Sequence, residues 1–273
     1  MTCPSLLVYV DDSKESDARV ELACDLAVSF DALLIGLSAS LPQPPMLDPV
    51  SGMGDVLALY RQEAEGEVER AGARFRAIAE ARSVRTEWRA GLESPGWMLA
   101  GAARAADLLI IGQKPTGVPF RSPDPADAIL SAGRPVLIVP SVRARSPVGE
   151  PALVAWKDTR ESRRAVVAAL PLLRMASQVD VVEVAATTDM ADAEARVRDV
   201  CEFLGRHQIE AAATPLTNDG EPTTVRILAE ATKLKAGLVV AGGYGHGRMR
   251  EWMLGGVTRS LLDYGDVCVL MTH

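Results

Sequence analysis

Leu153-Val154-Ala155-Trp156-Lys157-Asp158-Thr159-Arg160-Glu161-Ser162 repeats an earlier stretch, Leu7-Val8-Tyr9-Val10-Asp11-Asp12-Ser13-Lys14-Glu15-Ser16. Five of the ten pairs are identical, and Ser13/Thr159 and Lys14/Arg160 are chemically close. Each stretch passes from a short apolar run through a polar turn into a segment with helical spacing. After the second copy, Val166, Ala169, Leu170 and Leu173 stand at i, i+3, i+4 and i+7. After the first, Ala18, Leu22, Leu26 and Phe30 recur every four residues. The later parts of the halves match too: Ala106 to Gly112 corresponds to Ala236 to Gly242, and Pro135 to Ile138 corresponds to Cys268 to Met271. The chain is therefore a tandem repeat, with copies over residues 1–143 and 150–273 and a join rich in Arg, Ser, Pro and Gly near Ser141 to Pro151.

Within each half, apolar runs alternate with helical patterns. Strands are expected near 6–11, 32–38, 84–89, 107–112 and 135–140, then near 152–157, 178–185, 208–214, 237–242 and 267–272. A long helix is expected from about Val56 to Arg82, after a Pro- and Gly-rich loop from Leu41 to Gly54. Alternating strand and helix at this spacing predicts α/β units, each with a parallel sheet covered on both faces.

Composition agrees with that class. The 273 residues are 48% hydrophobic and 24% charged, with only 4% aromatic, so Ala, Val, Leu and Ile must fill the core. The formal net charge of −7 argues against a nucleic-acid binder. Cys3, Cys24, Cys201 and Cys268 lie far apart, with no metal-ligand or redox spacing. Leu6 to Val10 is too short for a secretion signal core, and no run reaches membrane-spanning length, so a cytoplasmic location without membrane contact is expected.

The richest chemistry lies in Gly242-Gly243-Tyr244-Gly245-His246-Gly247-Arg248, followed by Gly255-Gly256-Val257-Thr258. It comes directly after the apolar run Leu238 to Ala241, and Leu261 and Leu262 follow it as a new helix would require. Strand, glycine loop and helix start form an arrangement in which backbone N–H groups face a phosphate. Glycine allows close approach and unusual backbone angles. A solvent-exposed loop is the alternative on composition alone.

These residues resemble the universal stress proteins, whose signature after the fourth strand is Gly-x-x-Gly, nine residues, Gly, Ser/Thr. Gly242, Gly245 and Gly255 keep that spacing, and Gly256 takes the Ser/Thr place. The resemblance covers the chain as two copies and is most specific over Ala236 to Leu262. It implies two doubly wound α/β domains, each a five-stranded parallel sheet of order 3-2-1-4-5. It also implies an ATP or AMP site, with or without Mg, at the carboxyl ends of the first and fourth strands. Carried over, phosphates would lie on Gly245, Gly255, Gly256 and Val257, with Gly242 giving room at the strand end. Adenine would sit near Ala155, Trp156 and Val184. Lys157 stands where family members place an Asp that contacts the nucleoside.

The first half departs differently. It keeps Asp11, but Gly112 is followed by Gln113-Lys114-Pro115-Thr116-Gly117-Val118-Pro119-Phe120, a shorter loop with two prolines. Proline removes N–H donors, so this loop is expected to be unable to cradle phosphate in the usual way. The resulting expectation is an adenine-nucleotide-binding stress or regulatory protein with one competent site, in the second half. The alternative is a nucleotide-free scaffold or protein-interaction module of the same fold. No nucleophile–base pair is evident, and His246 stands alone, so at most slow ATP hydrolysis is expected. The family habit of pairing through fifth strands implies that the halves pair within the chain, with a homodimer left open.

Overall fold

The turn after each first strand sets the geometry that follows. In the computed structural model, which describes residues 3–42, 53–113, 121–141, 146–243, 256–264 and 266–273, Ser13 and Thr159 cap the following helices. Each hydroxyl accepts from the backbone N–H three residues on, at Ser16 and Ser162. The chain divides into two compact units, Pro4–Arg134 and Met1–Cys3 with Pro135–His273.

The first unit contains β1 (Ser5–Tyr9), α1 (Lys14–Phe30), β2 (Leu33–Ala39), α2 (Met53–Ala81), β3 (Thr86–Gly91), α3 (Pro95–Ala102), β4 (Leu108–Gly112) and α4 (Pro125–Ser131). Its strands take the order β3-β2-β1-β4 and are parallel, with Leu6 registered against both Leu34 and Leu108. The central strands are buried on both faces, as their unbroken apolar runs require.

The second unit contains β5 (Val136–Val139), β6 (Ala152–Ala155), α5 (Arg160–Leu173), β7 (Val179–Ala185), α6 (Met190–Arg206), β8 (Ala212–Thr217), α7 (Thr223–Leu234), β9 (Leu238–Gly242), α8 (Gly256–Tyr264) and β10 (Cys268–Thr272). Strands β6 to β10 have the full 3-2-1-4-5 order, β8-β7-β6-β9-β10, all parallel. The last strand of the first copy, β5, lies in this unit and pairs antiparallel with β10, Leu137 opposite Leu270. The doubly wound α/β class expected from the repeat is the class found.

Both third strands begin later than the apolar pattern implies. Strand β3 starts at Thr86 and β8 at Ala212, against expected starts near 84 and 208. The cause is the same in each copy. Ser83 and Gln208 take left-handed backbone angles, and the next residue's N–H, at Val84 or Ile209, bonds back to Ala79 or Leu204. The helix closure consumes residues that composition alone assigns to the strand. Helix α2 begins at Met53, inside the expected Leu41 to Gly54 loop, whose residues 43–52 lie outside the described residues.

Aromatics are few, and two of them meet inside the first unit. Phe75 of α2 and Trp88 of β3 lie with ring centroids 5.4 Å apart. Glycine makes room for them on two sides. A Cβ at Gly36 would fall 2.7 Å from Phe75 Cε1 and 2.8 Å from Trp88 Cε3, and one at Gly72 would fall 2.9 Å from Trp88 Cε2. Exposed ion pairs such as Arg70–Asp12 also tie α2 to the turn before α1, but such pairs contribute little. Gly36→Ala is expected to lower stability by about 1–3 kcal/mol, the cost of overpacking a filled core. Urea unfolding of the variant against the parent chain measures it.

Candidate functional site

In a sheet of this order the winding reverses between the first and fourth strands, which run parallel, and a crevice opens at their carboxyl ends. The first unit fills that place with its own side chains. Arg19, one turn into α1, is 4% exposed. Its Nε donates to the Tyr9 carbonyl at 2.8 Å, and its Nη2 donates to Asp11 Oδ2 at 2.7 Å. On the β4 side, a Cβ at Gly112 would come within 2.3 Å of Arg19 Nη1. The guanidinium therefore bridges the ends of β1 and β4, and Gly112 is what lets it lie there.

Asp11 is held from both sides. Ser13 donates to it through its backbone N–H and through its hydroxyl. Burial alone would raise the Asp11 carboxyl pKa, but the Arg19 guanidinium and the Ser13 hydrogen bonds outweigh it and hold the group below the usual carboxylate range. Next to this pair, the buried Tyr9 hydroxyl lies 2.8 Å from the Ala39 carbonyl oxygen and 2.9 Å from that of Arg121, and donates to one at a time. Burial, then the Asp11 charge, pushes this phenol well above its ordinary pKa, so it stays neutral. Ser40 and Arg121 both bond Glu67 of α2, closing the same end of the unit.

The second unit makes the same turn with different residues. Trp156 N–H donates to the Val182 carbonyl at 2.8 Å, continuing the β6–β7 ladder, and Lys157 then begins the exposed turn into α5. Matching the two helix starts places Ala165 where the first copy has Arg19, Lys157 where it has Asp11, and Trp156 where it has Val10. Ala165 is buried. Gly242 meets the helix directly: a Cβ there would lie 2.6 Å from Ser162 N and 2.8 Å from the Glu161 carbonyl carbon. Glu161 itself is buried. Burial would raise its carboxyl pKa, but the Arg160 guanidinium on it brings the pKa below the ordinary value. Gly243, the first residue of the loop, is pinned to the last strand: its N–H donates to Thr272 O at 3.0 Å, and its carbonyl lies 3.4 Å from His273 Nδ1.

The registers divide the expected adenine residues between two faces of the sheet. Ala155 pairs with Val182 and Ala241, so Ala155 and Val184 share one face by alternation, while Lys157 lies past the strand in the turn. Trp156, one step on, shares the opposite face with Gly242 and Glu183. That is the face of α5, which Gly242 touches, and of α6, whose Arg196 grips Glu183. Val184 is half-buried. Beyond the strands, Gly256 opens α8, Val257 is half-buried and Thr258 is buried. Gly245 and Gly255, with His246 and Arg248, lie outside the described residues.

Sequence reasoning missed Arg19 and Tyr9. The signal for Arg19 was present: an arginine at i, i+3, i+4 and i+7 with Leu22, Ala23 and Leu26, on the face that packs on the sheet, eight residues after an Asp at a strand end. Among the described residues no group of three or more His, Cys, Asp or Glu could hold a metal ion. Burial pushes the Cys24 thiol up to about 11 and the Cys268 thiol up to about 12, so neither is a ready nucleophile. No described helix is long and apolar enough to cross a membrane.

Removing Arg19 leaves Asp11 charged and partly buried. Arg19→Ala is expected to cost about 3 kcal/mol at neutral pH, the low end for a broken buried pair, because Asp11 keeps a fifth of its side chain in water. The folded Asp11 pKa is depressed, so the pair's stabilisation is present above the unfolded value of about 3.9 and is lost as pH falls through the folded pKa. The difference between parent and variant in urea unfolding should therefore shrink as pH is lowered below about 4.

The universal stress protein family model matches residues 4–140. No curated protein matches the chain. Among solved structures, a universal stress protein from Archaeoglobus fulgidus DSM 4304 is 18% identical with a TM-score of 0.75, over 98% of this chain and 98% of its own. A functionally unknown protein from Pseudomonas aeruginosa PAO1 is 20% identical with a TM-score of 0.60, over 99% of this chain and 92% of its own. A shorter universal stress protein from Archaeoglobus fulgidus, in complex with dAMP, is 18% identical over 50% of this chain and 98% of its own, with a TM-score of 0.36. The family-model match, the full-length structural match and the duplicated α/β fold agree: the chain belongs to the universal stress protein family, in its tandem two-domain form.

Proposed function

We propose that the protein binds one adenine nucleotide, ATP or AMP, at the switch point of its second copy, and acts as a nucleotide-responsive stress or regulatory protein. The observation that carries this reading is the exchange at the two switch points. The first copy holds a guanidinium and its carboxylate partner between the ends of β1 and β4. At the matched places the second copy has Ala165 and Lys157, so neither the plugging cation nor its carboxylate is present. A crevice without the internal pair, with a lysine at its lip and a helix starting at Gly256, favours an anionic ligand. Family membership supports the same ligand class.

On this reading the phosphates take the backbone donors of Gly245, Gly255, Gly256 and Val257, and the nucleoside lies toward the ends of β6 and β7. The first copy serves as a nucleotide-free structural module. The antiparallel β5–β10 ladder supports pairing of the two copies through their fifth strands. Phosphoryl transfer needs a positioned nucleophile and charge neutralisation. His246 and Lys157 are the near candidates in sequence, and the sequence holds no evident nucleophile–base pair, so retention of nucleotide rather than rapid turnover is expected.

Mass spectrometry of freshly purified, denatured protein is expected to release adenine nucleotide, and titration of stripped protein to give one site per chain. Nucleotide at 100 times its dissociation constant should raise stability by about 2.7 kcal/mol. Gly245→Val or Gly255→Val should lower affinity about 100-fold, the loss of one hydrogen bond to charged phosphate at roughly 2–3 kcal/mol. His246→Ala should leave affinity unchanged. Two sites per chain, or none, would overturn the reading.

A further inference from the structure

The duplicated fold supplies its own control for Trp156. The matched residue of the first copy is Val10, one step past β1, and that unit closes around it with the residue buried. The fold thus requires neither an aromatic ring nor a hydrogen-bond donor at this position. The second copy nevertheless places an indole there. Its Nε1 is buried and has no hydrogen-bond partner, and it is the one such side-chain atom among the described residues. Leaving a buried donor unpaired costs about 1–3 kcal/mol, which a phenyl ring of similar shape would avoid. A tryptophan that keeps this cost in a position where the fold accepts valine has a partner to meet.

The neighbourhood indicates which partner. Trp156 stands at the carboxyl end of β6, one step beyond the Ala155–Ala241 pair, beside a Gly242 that presents no side chain. The large side chain on the helix, Arg19 in the first copy, is Ala165 here, so bulk has moved from the helix to the strand end. Lys157, in the place of the first copy's Asp11, is a donor on the exposed turn into α5. The acceptor formed by Asp11 in one copy has been replaced by donors in the other. A ligand seated at this strand end would be offered an uncharged N–H that has no partner within the protein.

We propose that Trp156 determines ligand specificity at the second switch point, its indole N–H donating a hydrogen bond to an acceptor on the nucleoside part of the bound nucleotide, a ring nitrogen or a ribose oxygen. This rests on the nucleotide reading above. Trp156→Phe keeps the ring and removes the donor. Calorimetric titration of the full chain with adenosine, AMP and ATP is expected to show the same loss for all three ligands, about tenfold, which corresponds to one hydrogen bond. The unfolding midpoint of the ligand-free variant should stay level or rise, because the unpaired donor is gone. Trp156→Val, which restores the residue the first copy uses, should lose affinity in the same direction and guards against a packing fault specific to Phe. Unchanged affinity in both variants would overturn the inference. So would a loss confined to AMP and ATP, which would place the acceptor on phosphate, or a fall in ligand-free stability as large as the loss in binding. Failure of the parent chain to bind any of the three would instead overturn the nucleotide reading itself, and this inference with it.

Discussion

The structure depends on how closely a helix start can approach the end of a strand. In each copy the chain leaves the central strand, is capped by Ser13 or Thr159, and turns back over the sheet within a few residues. Ser16 and Ser162 are buried at this junction, and the fourth strand meets it with a glycine, Gly112 or Gly242. A single added carbon at Gly242 would overlap the backbone of α5. The helix cannot rest at this height over the sheet unless the opposing residue is bare. The crevice between the first and fourth strands exists because of that approach, and its floor is set before any ligand is considered.

From this shared floor the copies solve their electrostatics in opposite ways. The first neutralises itself: a buried guanidinium costs free energy to desolvate, and Asp11 and the Tyr9 carbonyl repay that cost. The result is a crevice saturated from within. The second discards both charges and puts a lysine at the lip. The first copy is neutralised from within, and the second carries Lys157 in the place of the acid. Tandem duplication permits this divergence, because each copy can change its switch point while the shared fold is kept.

Much of this was legible beforehand. The repeat, the strand alternation and the helix opening near Gly256 follow from periodicity, since apolar spacing reports which residues face the core. What escaped depended on backbone angles and on distant partners. The left-handed closures at Ser83 and Gln208 moved β3 and β8 along the chain, and neither residue is a glycine that would mark such a turn. Arg19 drew no notice in the sequence, because its partners Tyr9 and Asp11 come beside it only when the helix folds back over the strand end. Ala155, Trp156 and Val184 were grouped by their place near strand ends, yet alternation sends Trp156 to the other face, a distinction that needs the register between strands.

The position of β5 bears on how the protein can be dissected. A fragment that begins at the sequence boundary near residue 150 would carry β6 to β10 but leave β5 behind. The backbone N–H and C=O groups of Val269, Leu270 and Met271 that face β5 would then form an open, apolar edge, with neither proline nor charge to guard it. By contrast β8, the outer strand at the far side of this unit, carries Pro215, which blunts its own edge. Separating the copies at the apparent linker would thus create a sticky surface, and self-association of such a fragment would report on the cut rather than on the native protein. A cut made before Pro135 keeps the ladder whole.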